Sequence, residues 1–339
     1  MIIWFVSLPA IAVFLLLLVK MMRPGKPLFA IGYMFYARTR VGEWMHQKDL
    51  QKFREQFPDG HSKVTAADLG EVKIRPVPLL EDNYAYLIMD KSTDTAVVVD
   101  PADAAAVKKV IEEENVRLSA IFTTHKHWDH AGGNLEMKEE YKHISIYGNK
   151  KDNIPGCTNF VKDGDTMQVG SLNFKAIFTP GHTVGHTVYL LEGRSGCPQC
   201  VFTGDCLFLS GCGRTFEGSY TTMVDSLDKL SELDDSTLVW PGHEYAKENL
   251  EYAQSVEPQN TAITQKLDWV KGQRLERNIT SPSTIAEEKS YNPFLRTKEA
   301  SLMQSIGFDI SEAGSNINEI RGKALAEIRH RKDKFCYKL

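Results

Sequence analysis

The chain opens on an uncharged apolar run, residues 2–19, broken only by Ser7 and Pro9. As a helix rising about 1.5 Å per residue, such a run approaches the thickness of bilayer hydrocarbon. Lys20, Arg23, Lys26, Arg38 and Arg40 follow it, and no charged side chain precedes it. The positive-inside rule then predicts a transmembrane signal anchor over 1–22, single-pass, with the rest of the chain facing the cytoplasm; targeting to the mitochondrion is the alternative. Residues 28–57 mix Phe29, Tyr33, Phe35, Tyr36 and Trp44 with Arg and Lys. That texture suits a helix lying at a membrane interface, and equally one docking on the protein itself. Pro58, Asp59 and Gly60 punctuate the chain as a linker, so 23–70 reads as a basic, aromatic juxtamembrane segment and linker.

From Val72 the pattern changes to short apolar runs bounded by turn residues. Segments 84–89, 96–99, 120–124, 174–179, 188–191, 200–203 and 237–240 read as buried or half-buried strands. Helical periodicity appears between them at 104–115 and 220–233. Beyond Tyr245 the strand signal stops, and 247–255, 259–276, 284–289, 299–306 and 316–334 are helix-patterned. The expected organisation is an α/β domain over 71–245 and a helical domain over 246–339.

Composition adds exclusions. With 40 basic and 44 acidic side chains the net charge is −4, which argues against a nucleic-acid binder needing a basic face. The segment 20–56 nevertheless carries a local +5, directly after the apolar run. The six cysteines (157, 197, 200, 206, 212, 336) show no disulfide-framework spacing and suit a reducing compartment. Cys197 and Cys200 form a lone C-x-x-C, read as a loop with two free thiols.

Four strand-like runs end in residues of metal-ligand type. Segment 120–124 leads into His125, His127, Asp129 and His130; 174–181 into His182; 201–204 into Asp205; 237–242 into His243. Five of the ten histidines lie at these strand ends, where rigid scaffolds present polar groups. Imidazole with carboxylate suits zinc, iron or manganese and favours a hydrolytic site over a closed structural one. Alone, His-x-His is a weak signal; THKHWDH at 124–130 followed by AGGN and three further strand-end ligands is a strong one.

On these residues the chain resembles the metallo-β-lactamase superfamily, and within it the glyoxalase II (hydroxyacylglutathione hydrolase) branch. The likeness continues through GCGRTFEG at 211–218, PGHEY at 241–245, VEP at 256–258, PST at 282–284 and YNPF at 291–294, so it spans 72–334. It implies an αββα sandwich with a C-terminal α-helical domain, here behind an N-terminal transmembrane helix. It implies two divalent metal ions, zinc first with iron or manganese as alternatives. His125, His127 and His182 would hold one, Asp129, His130 and His243 the other, and Asp205 would bridge them. The implied reaction is attack of metal-bound hydroxide on the thioester of an S-2-hydroxyacyl glutathione, with Asp129 and Asp205 as catalytic residues. Arg214, Phe216, Tyr245, Arg329 and Lys332 fall at the family's glutathione positions. Two depart from the pattern: Phe216 stands for a tyrosine and Arg214 for a lysine. Two other readings remain open, a mononuclear iron persulfide dioxygenase and a low-activity membrane scaffold that retains the fold; any protein partner is unknown.

Overall fold

In a computed structural model, residues 33, 36, 37, 39–194, 196–309 and 317–335 are described. Helix α1 (Arg40–Gln56) starts where the Thr39 side chain caps the Val41 amide, and it buries Gly42, His46, Leu50 and Phe53. It docks on the protein: Trp128 Nε1–H donates to the Tyr36 carbonyl at 3.0 Å, and Arg54 grips Asp103 through two bonds of 2.6 and 2.8 Å.

Among the described residues, a seven-stranded sheet follows chain order: β1 (Ala67–Leu69), β2 (Val72–Leu79), β3 (Asn83–Asp90), β4 (Thr95–Val99), β5 (Arg117–Phe122), β6 (Ser145–Asn149) and β7 (Asn159–Val161). Strands β1 to β4 are antiparallel neighbours, while β4 to β7 run parallel. Parallel neighbours need crossovers. Helix α2 (Ala104–Glu114) supplies one, begun by the Asp103 cap and ended by Asn115 in the left-handed region. Helices α3 (Trp128–Ala131) and α4 (Asn134–Glu140) supply the next.

The second sheet contains β8 (Thr166–Val169), β9 (Leu172–Phe178), β10 (Thr187–Leu191) and β11 (Cys200–Gly204). A small hairpin, β12 (Leu207–Phe208) with β13 (Gly211–Cys212), leaves it before helix α5 (Tyr220–Ser231). Strands β14 (Leu238–Pro241) and β15 (Ser283–Thr284) complete the spatial order β15-β14-β11-β10-β9-β8. Between the sheets lies an aromatic core that includes Tyr86, Phe122, Phe174, Tyr189, Phe202 and Trp240. Strands β3 and β4 are buried at every position, as expected of strands covered on both faces. The outer covers are α2 and α4 on one sheet and α5 with the C-terminal helices on the other. This is the expected αββα sandwich with helices after it: α6 (Ala246–Val256), α7 (Thr261–Leu275), α8 (Ile285–Tyr291), α9 (Ala300–Ser305) and α10 (Ile317–Lys334).

Strands do not stop at Tyr245, because β15 returns to pair with β14 before the Thr284–Glu287 capping box opens α8. The membrane location expected from residues 1–22 is corrected. Among the described residues no helix is long and apolar enough to cross a membrane, and α1 and α10 carry charges throughout. The anticipated span itself lies outside the described residues.

Candidate metal centre

Strands β5, β9, β11 and β14 all deliver their C-terminal ends to one edge of the sandwich, since β9 and β11 flank antiparallel β10 and β14 runs parallel to β11. Backbone bonds tie the two sheets there: Tyr84 N–H donates to the Gly242 carbonyl and Glu244 N–H to that of Asp82. The seven expected ligands converge at this edge. His125 Nε2 and His182 Nε2 lie 2.9 and 3.0 Å from His127 Nδ1. Asp129, His130 and His243 form a second group, and His125, His130 and Asp205 a third, each with ligand atoms within 4.8 Å. Asp205 stands between: Oδ2 is 3.3 Å from His182 Nε2, and Oδ1 is 3.2 and 3.3 Å from His130 and His243 Nε2.

Each ring has a partner on its outer nitrogen, and that fixes which nitrogen faces inward. His125 Nδ1 meets Thr124 Oγ1 at 3.0 Å, and because Thr124 donates to Asp100, its oxygen accepts from His125. His182 Nδ1–H donates to the Arg214 carbonyl at 2.8 Å. His130 Nδ1 meets Asp100 Oδ2 at 2.9 Å, and His243 Nδ1 meets Asp82 Oδ1 at 2.7 Å. His127 Nε2 meets the Tyr33 hydroxyl at 2.8 Å. In the neutral form that binds an ion, each ring would therefore turn a lone pair inward, toward the Asp205 carboxylate. Among the described residues, nothing makes a well-aligned hydrogen bond to the buried Oδ1 of Asp205. Lone pairs facing a carboxylate are what a cation resolves, so the donor set fits divalent metal ions.

Without an ion, the field favours protons on the rings nearest the carboxylates and disfavours them on the others. Burial lowers His125 and His127 well below the usual imidazole range, and neighbouring imidazoles add to it. Burial also opposes charge on His243 and His130, but Asp205, with Asp82 beside the first and Asp129 and Asp100 around the second, outweighs it. His243 is raised to about 10 and His130 well above its ordinary value. The pocket's field is thus strongly cation-attracting around Asp205. Gly242 is required for this approach, because a Cβ there would meet His130 Cε1 at 2.8 Å and Asp205 Oδ1 at 2.9 Å.

The expected substrate residues fall in two places. Tyr245 stacks on His243 at 4.7 Å, and Phe216 lies 5.2 Å from the His182 ring. Arg214, Arg329 and Lys332 gather beyond the small hairpin: Arg214 and Arg329 share Asp333, Arg329 donates to the Cys212 carbonyl, and Lys332 bonds Asn249 Oδ1. The Arg214 backbone that orients His182 thus joins the two places. Among the described residues, the buried Arg329 Nε has no partner.

Sequence reasoning missed Asp82, Asn83, Asp100, Thr124, His186 and the role of Tyr33. A signal existed for Asp100, since it follows the apolar strand β4 as Asp205 follows the run before it. His186, which accepts the Asp205 amide at 3.2 Å, heads β10 and so sits at the same edge. Asn83 donates to Asp129 Oδ2 at 3.2 Å.

Comparison with known proteins gives the same family. Residues 80–243 match the Metallo-beta-lactamase superfamily, and 244–335 match the Hydroxyacylglutathione hydrolase C-terminus. A cytoplasmic hydroxyacylglutathione hydrolase of Arabidopsis thaliana is 42% identical over 266 residues, 78% of this chain and 99% of that protein. Its name gives no support to the membrane location expected above. Among solved structures, ETHE1 from Myxococcus xanthus aligns over 78% of this chain and 99% of its own, with TM-score 0.49 and 26% identity. The BLEG-1 B3 metallo-beta-lactamase aligns over 69% and 99%, with TM-score 0.47 and 22% identity. A chain that runs the length of a known hydroxyacylglutathione hydrolase and matches both parts of that family belongs to the glyoxalase II branch of the metallo-β-lactamase superfamily, as a metal-dependent hydrolase.

Proposed function

We propose that the chain hydrolyses S-2-hydroxyacyl glutathione thioesters at a two-metal site, with residues 71–245 carrying the reacting edge and 246–339 supplying substrate contacts. The observation that carries this reading is the buried Oδ1 of Asp205, without a well-aligned hydrogen bond among the described residues and flanked by His130 and His243 while Oδ2 faces His182. That placement supports Asp205 as the bridge between an ion held by His125, His127 and His182 and one held by Asp129, His130 and His243. Zinc suits the donors best, and iron or manganese would also fit them. When bound, such ions supply Lewis acidity that polarises a carbonyl and makes water nucleophilic near neutral pH.

The chain's own groups supply the rest. Burial works against charge on Asp129, but His130 and His243 outweigh it and hold its pKa at about 2, so it stays an ionised carboxylate at the reacting edge, the form that would hold a metal ion. The leaving thiol needs no acid from the chain, because its pKa of about 8.5 lets thiolate depart. Arg214, Arg329 and Lys332 offer cations to the glutathione carboxylates, and the Nε–H of Arg329 is one donor not already taken among the described residues. The complete second group around Asp129 favours this reading over a single-iron dioxygenase.

The test compares S-D-lactoylglutathione with the same acyl group on a small thiol lacking carboxylates. Preference for the glutathione ester of about 100-fold or more in kcat/KM, ~3 kcal/mol, is expected if these cations grip it. Equal rates would reject glutathione as the recognised part.

A pH dependence follows from Lys332. Burial, then the Arg329 guanidinium, push its pKa down to about 7. A carboxylate binds the protonated form, so KM is expected to be lowest below that value and to rise through it, by about tenfold per pH unit at most. Folding runs oppositely. The unfolded lysine titrates near 10.4, so the penalty for burying this cation is full below about 7, falls as pH rises above it, and is gone only near 10.4. Steady-state KM of Lys332→Arg, charged throughout, should be flat over the same range; an unchanged rise in the variant would assign the effect elsewhere.

A further inference from the structure

The inward-facing rings of His125, His130, His182 and His243 are all oriented by residues between Asp82 and Arg214. His127 is the exception. Its Nδ1 faces His125 and His182, so as a metal ligand it would carry its proton on Nε2 and donate it to the Tyr33 hydroxyl, 2.8 Å away. Tyr33 precedes residue 80, where the family match begins.

Its placement is built. The Tyr33 ring stacks on Phe216 at 4.9 Å and 24° and stands edge-on to His127 at 5.6 Å. The described residues behind it are anchored at several points. Trp128 holds the Tyr36 carbonyl, His46 Nε2–H donates to the Ala102 carbonyl at 2.9 Å, and Arg54 forks onto Asp103. Gly42 permits close contact, since a Cβ there would meet the Tyr36 carbonyl at 1.8 Å and Trp128 Nε1 at 2.5 Å. Phe216 has no hydroxyl to offer this wall, and the phenol of Tyr33 brings one from a remote part of the chain.

We propose that Tyr33, Tyr36 and helix α1 act as a strap that places Tyr33 on His127, making Tyr33 a positioning residue of the metal centre. It rests on the reading of His127 as a ligand. The Tyr33 oxygen accepts that bond and so fixes the tautomer that turns Nδ1 inward. Outer partners of this kind are worth about 10–100-fold in metal affinity.

The test uses the full chain and Tyr33→Phe, which keeps the ring stack and removes only the hydroxyl. Cobalt(II) and zinc affinities are measured against a competing chelator, with the cobalt visible spectrum and the melting temperature of metal-free protein. The expected result is a dissociation constant raised about 10–100-fold, a shifted cobalt band and an unchanged metal-free melting temperature. Affinity and spectrum within twofold of the parent would overturn the inference alone. A loss of affinity matched by a lowered metal-free melting temperature would make Tyr33 a structural cover, and would overturn it too. A parent chain that binds neither ion would overturn the metal-ligand reading together with the inference.

Discussion

Turnover of S-D-lactoylglutathione is expected to fall at least about a thousandfold in Asp205→Ala, ~4 kcal/mol of barrier, with bound metal falling alongside. The size follows from position. Asp205 alone faces both ligand groups, one oxygen toward His182 and the other toward His130 and His243. Without it, five inward imidazoles lose the negative charge that draws a cation between them. The backbone should survive, because the Asp205 amide and its bond to His186 remain. Steady-state rates and metal content on the same preparation check this. A variant that keeps both metal and rate would remove Asp205 from the chemistry.

Asp100→Asn is expected to cost about 10–100-fold in metal affinity while leaving the fold in place. Asp100 accepts from the Thr124 amide at 2.8 Å, from the Thr124 hydroxyl at 2.7 Å and from His130 Nδ1 at 2.9 Å. Asparagine can still take the backbone amide through its oxygen. Its NH2 then faces His130 Nδ1 and forces that nitrogen to accept, which moves the ring proton to Nε2, where a lone pair is needed. Asp100→Ala should add instability, because the buried Thr124 amide loses its acceptor at a cost of about 1–3 kcal/mol. Metal titration with thermal melting separates the two variants; equal affinity in Asp100→Asn and the parent would refute the tautomer argument.

The sandwich, and the edge where the seven candidate ligands meet, were legible because buried strands read as apolar runs and those residues follow them directly. The edges of elements were less so. Segment 120–124 was expected as strand, yet Thr123 and Thr124 leave β5, and the Thr124 amide turns to Asp100 instead of to a neighbouring strand. Asp82 and Asp100 escaped notice because a single carboxylate after a strand looks like an ordinary turn, and its meaning lies in the sheet order. Tyr33 could not be placed from spacing at all. Its ring sits on residues 127 and 216, and only the docking of α1 brings it there. The 28–57 segment had two readings, and for helix α1 the contacts of Gly42, His46 and Arg54 with the protein decide for docking.

The most direct test of the central claim measures thiol release from S-D-lactoylglutathione by the full chain while metal per chain is counted. The account expects saturable release of glutathione with close to two divalent ions bound, and loss of both on chelation. One tightly held iron, no thiol release and oxygen consumed with a persulfide substrate would contradict it.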